Sequence, residues 1–123
     1  MKILIVGNGG REHAMAWHIA KADKIEKVFV APGNAGTRLE NKVENLDIAS
    51  TDIAKLLAFA EENHIALTIV GPEAPLAAGI VDAFQKANQP CFGPTQKMAQ
   101  LESSKTFAKD FLKRHGIPSA QYE

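Results

Sequence analysis

Short β-branched runs alternate with stretches of helical period along this chain. Lys2 to Val6 is extended, Arg11 to Ala22 has the spacing of a helix, and Lys27 to Val30 is extended again. The opening is therefore β-α-β. A weaker extended segment near Val43 to Leu46 leads into Ser50-Thr51-Asp52, which supplies a helix N-cap. Beyond it Ile53, Leu56, Leu57 and Ala60 fall at i, i+3, i+4 and i+7. Leu67 to Val70 is a further strand, and the spacing after it predicts a helix with Leu76, Ile80, Ala83, Phe84 and Ala87 on one side. Cys91 and Phe92 mark a short strand. Thr95 caps a brief helix through about Leu101, and a longer one spans about Ser103 to His115, with Phe107, Phe111 and Leu112 facing inward. Gly116 and Pro118 make its stop.

Strands separated by helices imply an α/β fold, an open parallel sheet with helices on both faces in a Rossmann-like arrangement. Parallel neighbours need a crossover connection, and a helix is the usual one. A chain of 123 residues fits one domain and can bury a core without disulfide or metal staples. Its end, Gln121-Tyr122-Glu123, lies where a new extended segment begins and reads as a cut.

Composition narrows the function. Fourteen Lys and Arg balance fourteen Asp and Glu, so no broad positive field favours nucleic acid. A lone cysteine, Cys91, forms no internal bridge and suits a reducing, cytoplasmic compartment. No segment approaches the ~20 apolar residues of a membrane span. His18, His64 and His115 lack metal-ligand spacing, and His13 has no nucleophile or acidic partner identifiable in the sequence, so no metal site and no catalytic residue is assigned.

The unusual residues fall on one edge of the expected sheet. The loops leaving the strands are Gly7-Asn8-Gly9-Gly10, Pro32-Gly33-Asn34-Ala35-Gly36, Gly71-Pro72-Glu73 and Gly93-Pro94-Thr95. The loops entering them, such as Asp23-Lys24 and Asn88-Gln89, are plain polar turns. Ligands of open parallel sheets bind beyond the carboxyl ends of the strands, which places a site on the glycine-rich edge. Tight-turn chemistry alone would account for any single one of these loops.

The first loop lets a ligand approach the backbone and precedes a helix whose first N–H groups are unpaired, an arrangement suited to phosphate or carboxylate. The dinucleotide pattern Gly-x-Gly-x-x-Gly begins at Gly7 and Gly9 but meets Glu12 at its third position. The second strand also ends in Ala31-Pro32-Gly33-Asn34, with no acid for a ribose hydroxyl, so a nicotinamide oxidoreductase is disfavoured. Arg11 is a cation at a helix start, where the dipole opposes it. It either reaches an anionic ligand or forms a surface ion pair with Glu12 or a later acid. Glu12 is either a first-turn stabiliser or a grip for a substrate amine or hydroxyl.

Val6-Gly7-Asn8-Gly9-Gly10-Arg11-Glu12-His13-Ala14, Val30 to Gly36 and Val70-Gly71-Pro72-Glu73-Ala74-Pro75-Leu76 together resemble the phosphoribosylamine–glycine ligase (glycinamide ribonucleotide synthetase) family. The likeness continues through Phe92-Gly93-Pro94-Thr95 and Gln100-Leu101-Glu102-Ser103-Ser104-Lys105, in order and spacing along the whole chain. The resemblance implies the N-terminal part of an ATP-grasp ligase of purine synthesis, one that joins glycine to 5-phosphoribosylamine through glycyl phosphate. It further implies a substrate-binding domain over residues 1–101, and a helix and linker over 102–123 leading into an ATP-grasp domain absent from this chain. Asn8, Gly9, Gly10, Arg11, Glu12, Gly33, Asn34, Gly71, Pro72 and Glu73 would line the substrate pocket. Glu73 would accept an amine or ribose hydroxyl, or simply complement its helix start. Lys105 would support ATP, or belong with Lys109 and Lys113 to a solvated helix face. ATP and Mg2+ (or Mn2+) would be held mainly by the rest of the ligase chain, so this fragment alone is expected to be inactive. A stand-alone sugar-phosphate or nucleotide-binding module is the alternative.

Overall fold

The computed structural model describes residues 1–93. Five strands, β1 (Lys2–Gly7), β2 (Lys27–Pro32), β3 (Val43–Asn45), β4 (Ile65–Val70) and β5 (Cys91–Phe92), form one parallel sheet in the order β3-β2-β1-β4-β5. Helix α1 (Gly10–Ala20) follows β1, the short α2 (Ala35–Arg38) follows β2, and α3 (Ile53–Glu62) joins β3 to β4. Between β4 and β5 lie α4 (Glu73–Ala77) and α5 (Ile80–Lys86).

Both faces of the sheet are covered, which is why its strands read as unbroken apolar runs. Ile3, Ile5, Val28, Val30, Leu67 and Ile69 point to one face, against Ala16 and Ala20 of α1. Leu4, Val6, Phe29, Ala31 and Val70 point to the other, against Leu56 and Ala60 of α3 and Ile80 and Phe84 of α5. The pairing of β1 with β4 skips Ala66, since Lys2 faces Ile65 while Ile3 faces Leu67. This irregularity turns Ile65 to the α3 side although Leu67 and Ile69 face α1.

Among the described residues the expected strands all form, with β2 running on to Pro32 and β4 starting at Ile65, while the extended segment expected at Gln121 lies outside them. Asp52 caps α3 as its sequence position predicts, its carboxylate accepting from Lys55 N–H at 3.4 Å. Two expectations are corrected. The single helix after β4 is broken into α4 and α5, because Gly79 takes a left-handed backbone (φ 92°) between them. The loop after β2 contains the unanticipated turn of helix α2, started by Asn34. The expected helices beyond Pro94, with Thr95 and Lys105, lie outside the described residues.

Among the described residues no helix is long and apolar enough to cross a membrane.

Candidate functional site

In the order β3-β2-β1-β4-β5, the chain leaves β1 toward β2 on one side and reaches β4 on the other. The crevice between the carboxyl ends of β1 and β4 is thus the topological switch point of the sheet, where two successive loops part and leave a cleft. Such a cleft is present. It measures about 380 Å³ and is lined by Gly9 to Glu12 from the loop after β1 and Gly71 to Glu73 from the loop after β4.

Hydrogen bonds carry the strand ladder into the loops. Gly71 N–H donates to the Val6 carbonyl and Gly33 N–H to the Gly7 carbonyl, both at 3.0 Å. The three loops therefore leave the sheet in fixed positions relative to one another.

Glu12 is the centre of the cleft wall. It is only 7% exposed, and its Oε1 accepts the Gly9 N–H at 2.9 Å, half of a capping box at the start of α1. The carboxylate lies over two strand ends. A Cβ at Gly7 would come within 2.7 Å of its Cδ, and a Cβ at Gly71 would overlap its Oε2. These two glycines make room for an acid. Glu12 does not pair with Arg11, which is exposed at the rim and makes no hydrogen bond or ion pair among the described residues. Glu73 is exposed at the first position of α4, directly after Pro72.

Asn8, Gly33 and Asn34 sit beside the cleft and do not line it. Asn8 is exposed at the loop tip. Asn34 is committed to the protein: its Oδ1 accepts Thr37 N–H at 2.9 Å, while its Nδ2 donates to the Asn8 carbonyl at 2.9 Å and the Gly9 carbonyl at 3.5 Å. The same side chain thus caps α2 and clips the first glycine loop. Behind it, the fully buried Thr37 accepts from Asn34 N–H at 2.8 Å and donates to Asn45 Oδ1 at 2.6 Å, and Asn45 Nδ2 donates to the Asn34 carbonyl at 2.9 Å. Gly33, at φ 77°, lies against Asn45, where any Cβ would collide. Sequence reasoning missed Thr37 and Asn45. The Asn34-x-x-Thr37 spacing, a capping pattern, was the available signal for Thr37. Nothing local marks Asn45.

His13 joins this scaffold. Its Nε2 lies 2.7 Å from Glu40 Oε2, and its ring packs on Gly36, fixing α2 against α1. An acidic partner absent from the local sequence therefore exists in space, and it ties His13 to packing. Among the described residues no three His, Cys, Asp or Glu side chains come together as a metal site. Burial pushes the Cys91 thiol up to about 12, so it stays protonated at neutral pH.

A Rossmann-like domain with a cleft between β1 and β4 is the class that this fold defines. Residues 1–102 match the family described as phosphoribosylglycinamide synthetase, N domain, and the chain belongs to that family. It is 66% identical over its full length to a phosphoribosylamine–glycine ligase of Pasteurella multocida and 64% identical to one of Yersinia pestis. A third, from Haemophilus influenzae, is 62% identical over the same 123 residues. The chain spans about 29% of the length of each of these relatives.

Proposed function

We propose that this chain is the substrate-binding N-terminal part of a cytoplasmic, ATP-dependent carbon-nitrogen ligase that joins glycine to 5-phosphoribosylamine in purine biosynthesis. One observation carries the reading. Gly9 to Glu12 and Gly71 to Glu73, which lie in two of the stretches that resemble that family, are far apart in sequence yet line one cleft. Its size suits a small ligand.

The cleft divides its chemistry by position. Arg11 stands exposed at the rim, where a sugar phosphate would dock with its charge in water. Glu12, deep in the wall, and Glu73, at the mouth, are acceptors for an amine or ribose hydroxyl. Asn8, Gly33 and Asn34 complete the pocket by shaping the loop. ATP with Mg2+ (or Mn2+) would supply phosphoryl transfer to the glycine carboxylate, giving glycyl phosphate for attack by the sugar amine. We assign binding of the metal to the ATP-grasp remainder of a complete ligase chain. Residues 1–101 would form the substrate domain and 102–123, with Lys105 directed to ATP, the passage into that remainder.

The test is a chimera in which residues 1–123 replace the matching N-terminal segment of the Pasteurella multocida relative. Glycine- and phosphoribosylamine-dependent formation of glycinamide ribonucleotide is expected from the chimera and not from the 123-residue chain alone. A folded chimera that makes no product overturns the reading.

A further inference from the structure

At the start of α1 the position where a Rossmann loop meets the pyrophosphate of a dinucleotide is next to a carboxylate belonging to the chain. Gly9 N–H, a donor that a bound phosphate would use, already donates to Glu12 Oε1 at 2.9 Å. The acid is nine-tenths buried, held over the ends of both β1 and β4, and still lines the cleft.

A first-turn capping glutamate ordinarily sits on the helix surface in water. Here Gly7, the last residue of β1, and Gly71, the first residue after β4, both leave space for it. Arg11, the adjacent cation, does not neutralise it, being turned to the rim without a partner among the described residues.

We propose that Glu12 is the charge-selecting residue of the cleft. Its carboxylate is the glycine loop's resident anion, excluding diphosphates and dinucleotides from the inner end and leaving that end to an ammonium or hydroxyl group. The inference deepens the ligase reading and rests on it only for which amine-bearing ligand is taken. Two effects act together. Gly9 N–H is spent, and a second anion within a few ångströms of a poorly solvated carboxylate is repelled.

The experiment titrates inorganic pyrophosphate and NAD+ into the 123-residue chain, following the amide signals of Gly9 and Gly10 and the affinity by calorimetry. The wild-type signals are expected to stay in place at millimolar ligand. Glu12→Gln, which keeps the shape and the acceptor but drops the charge, should bind pyrophosphate at least about tenfold more tightly, the effect of removing one nearby charge. Glu12→Ala, which also frees Gly9 N–H, should gain more. A purely structural role for Glu12 predicts no gain of any ligand. Wild-type binding as tight as that of the variants overturns the proposal, as does no gain in either variant when both melt cooperatively. Should neither variant fold, movement of the wild-type Gly9 and Gly10 signals with pyrophosphate overturns it, and their stillness supports it. The readouts require no ligase turnover, so an active chimera with an indifferent Glu12 would sink this proposal alone.

Discussion

The Glu12 carboxylate rests on Gly71, two residues 59 positions apart that meet because β1 and β4 are neighbours, and a methyl group on Gly71 would occupy the place of Oε2. The backbone of Gly71 is not left-handed, so glycine is required there for space and not for conformation. Gly71→Ala is expected to cost about 1–3 kcal/mol in urea denaturation, the usual range for overpacking. Placed in a Glu12→Ala background the same substitution should cost at least ~1 kcal/mol less, because its obstacle is gone. Additive costs in the double-mutant cycle would refute the contact.

Asn34 separates capping from bracing. Asn34→Asp keeps the acceptor for Thr37 N–H but loses the donor to the Asn8 and Gly9 carbonyls. A stability loss of ~1 kcal/mol and shifted amide signals from Asn8 to Gly10 are expected for it. Asn34→Ala loses the cap as well and should cost about 2 kcal/mol. Unmoved glycine-loop signals in both variants would show that the clip does not hold the loop.

Thr68, in β4 between Leu4 and Cys91, buries a hydroxyl that has no hydrogen-bond partner among the described residues. Thr68→Val replaces that hydroxyl with a methyl group of similar size. Chemical denaturation should show a gain of ~1 kcal/mol or more, the penalty of an unmet buried polar group. A loss of stability would mean that the hydroxyl is satisfied in solution.

Cys91 links stability to alkaline pH. Its thiol is raised from 9.0 to about 12 by desolvation, so the folded state holds the proton more tightly than the unfolded chain does. The stabilisation is complete below pH 9 and is lost as the pH rises from 9 toward about 12. Cys91→Ala should flatten that part of the pH-stability curve. Alkylation of the native thiol at pH 8 is expected to be much slower than in urea; equal rates would contradict the assignment.

Local pattern carried most of the fold. The apolar runs at β1, β2 and β4 and the cap at Asp52 are nearest-neighbour chemistry, legible because strand and helix periods differ. The break at Gly79 was not legible, since a glycine inside an apolar helical pattern is often tolerated and only packing of Ile80 and Phe84 required the chain to turn there.

The site divides in the same way. Sequence alone marked Gly9 to Glu12 and Gly71 to Glu73, because glycine beside charge at a strand exit is unusual in itself. It left Arg11 and Glu12 ambiguous, as a potential ion pair between chain neighbours. Only the tertiary structure separated them, turning Arg11 to solvent and burying Glu12 against a loop from another strand. It also revealed Asn34 as a clip backed by Thr37 and Asn45. Strand order is set by the energetics of the whole sheet, so residues joined by it, such as Glu12 and Gly71, carry no mark of each other in the local sequence.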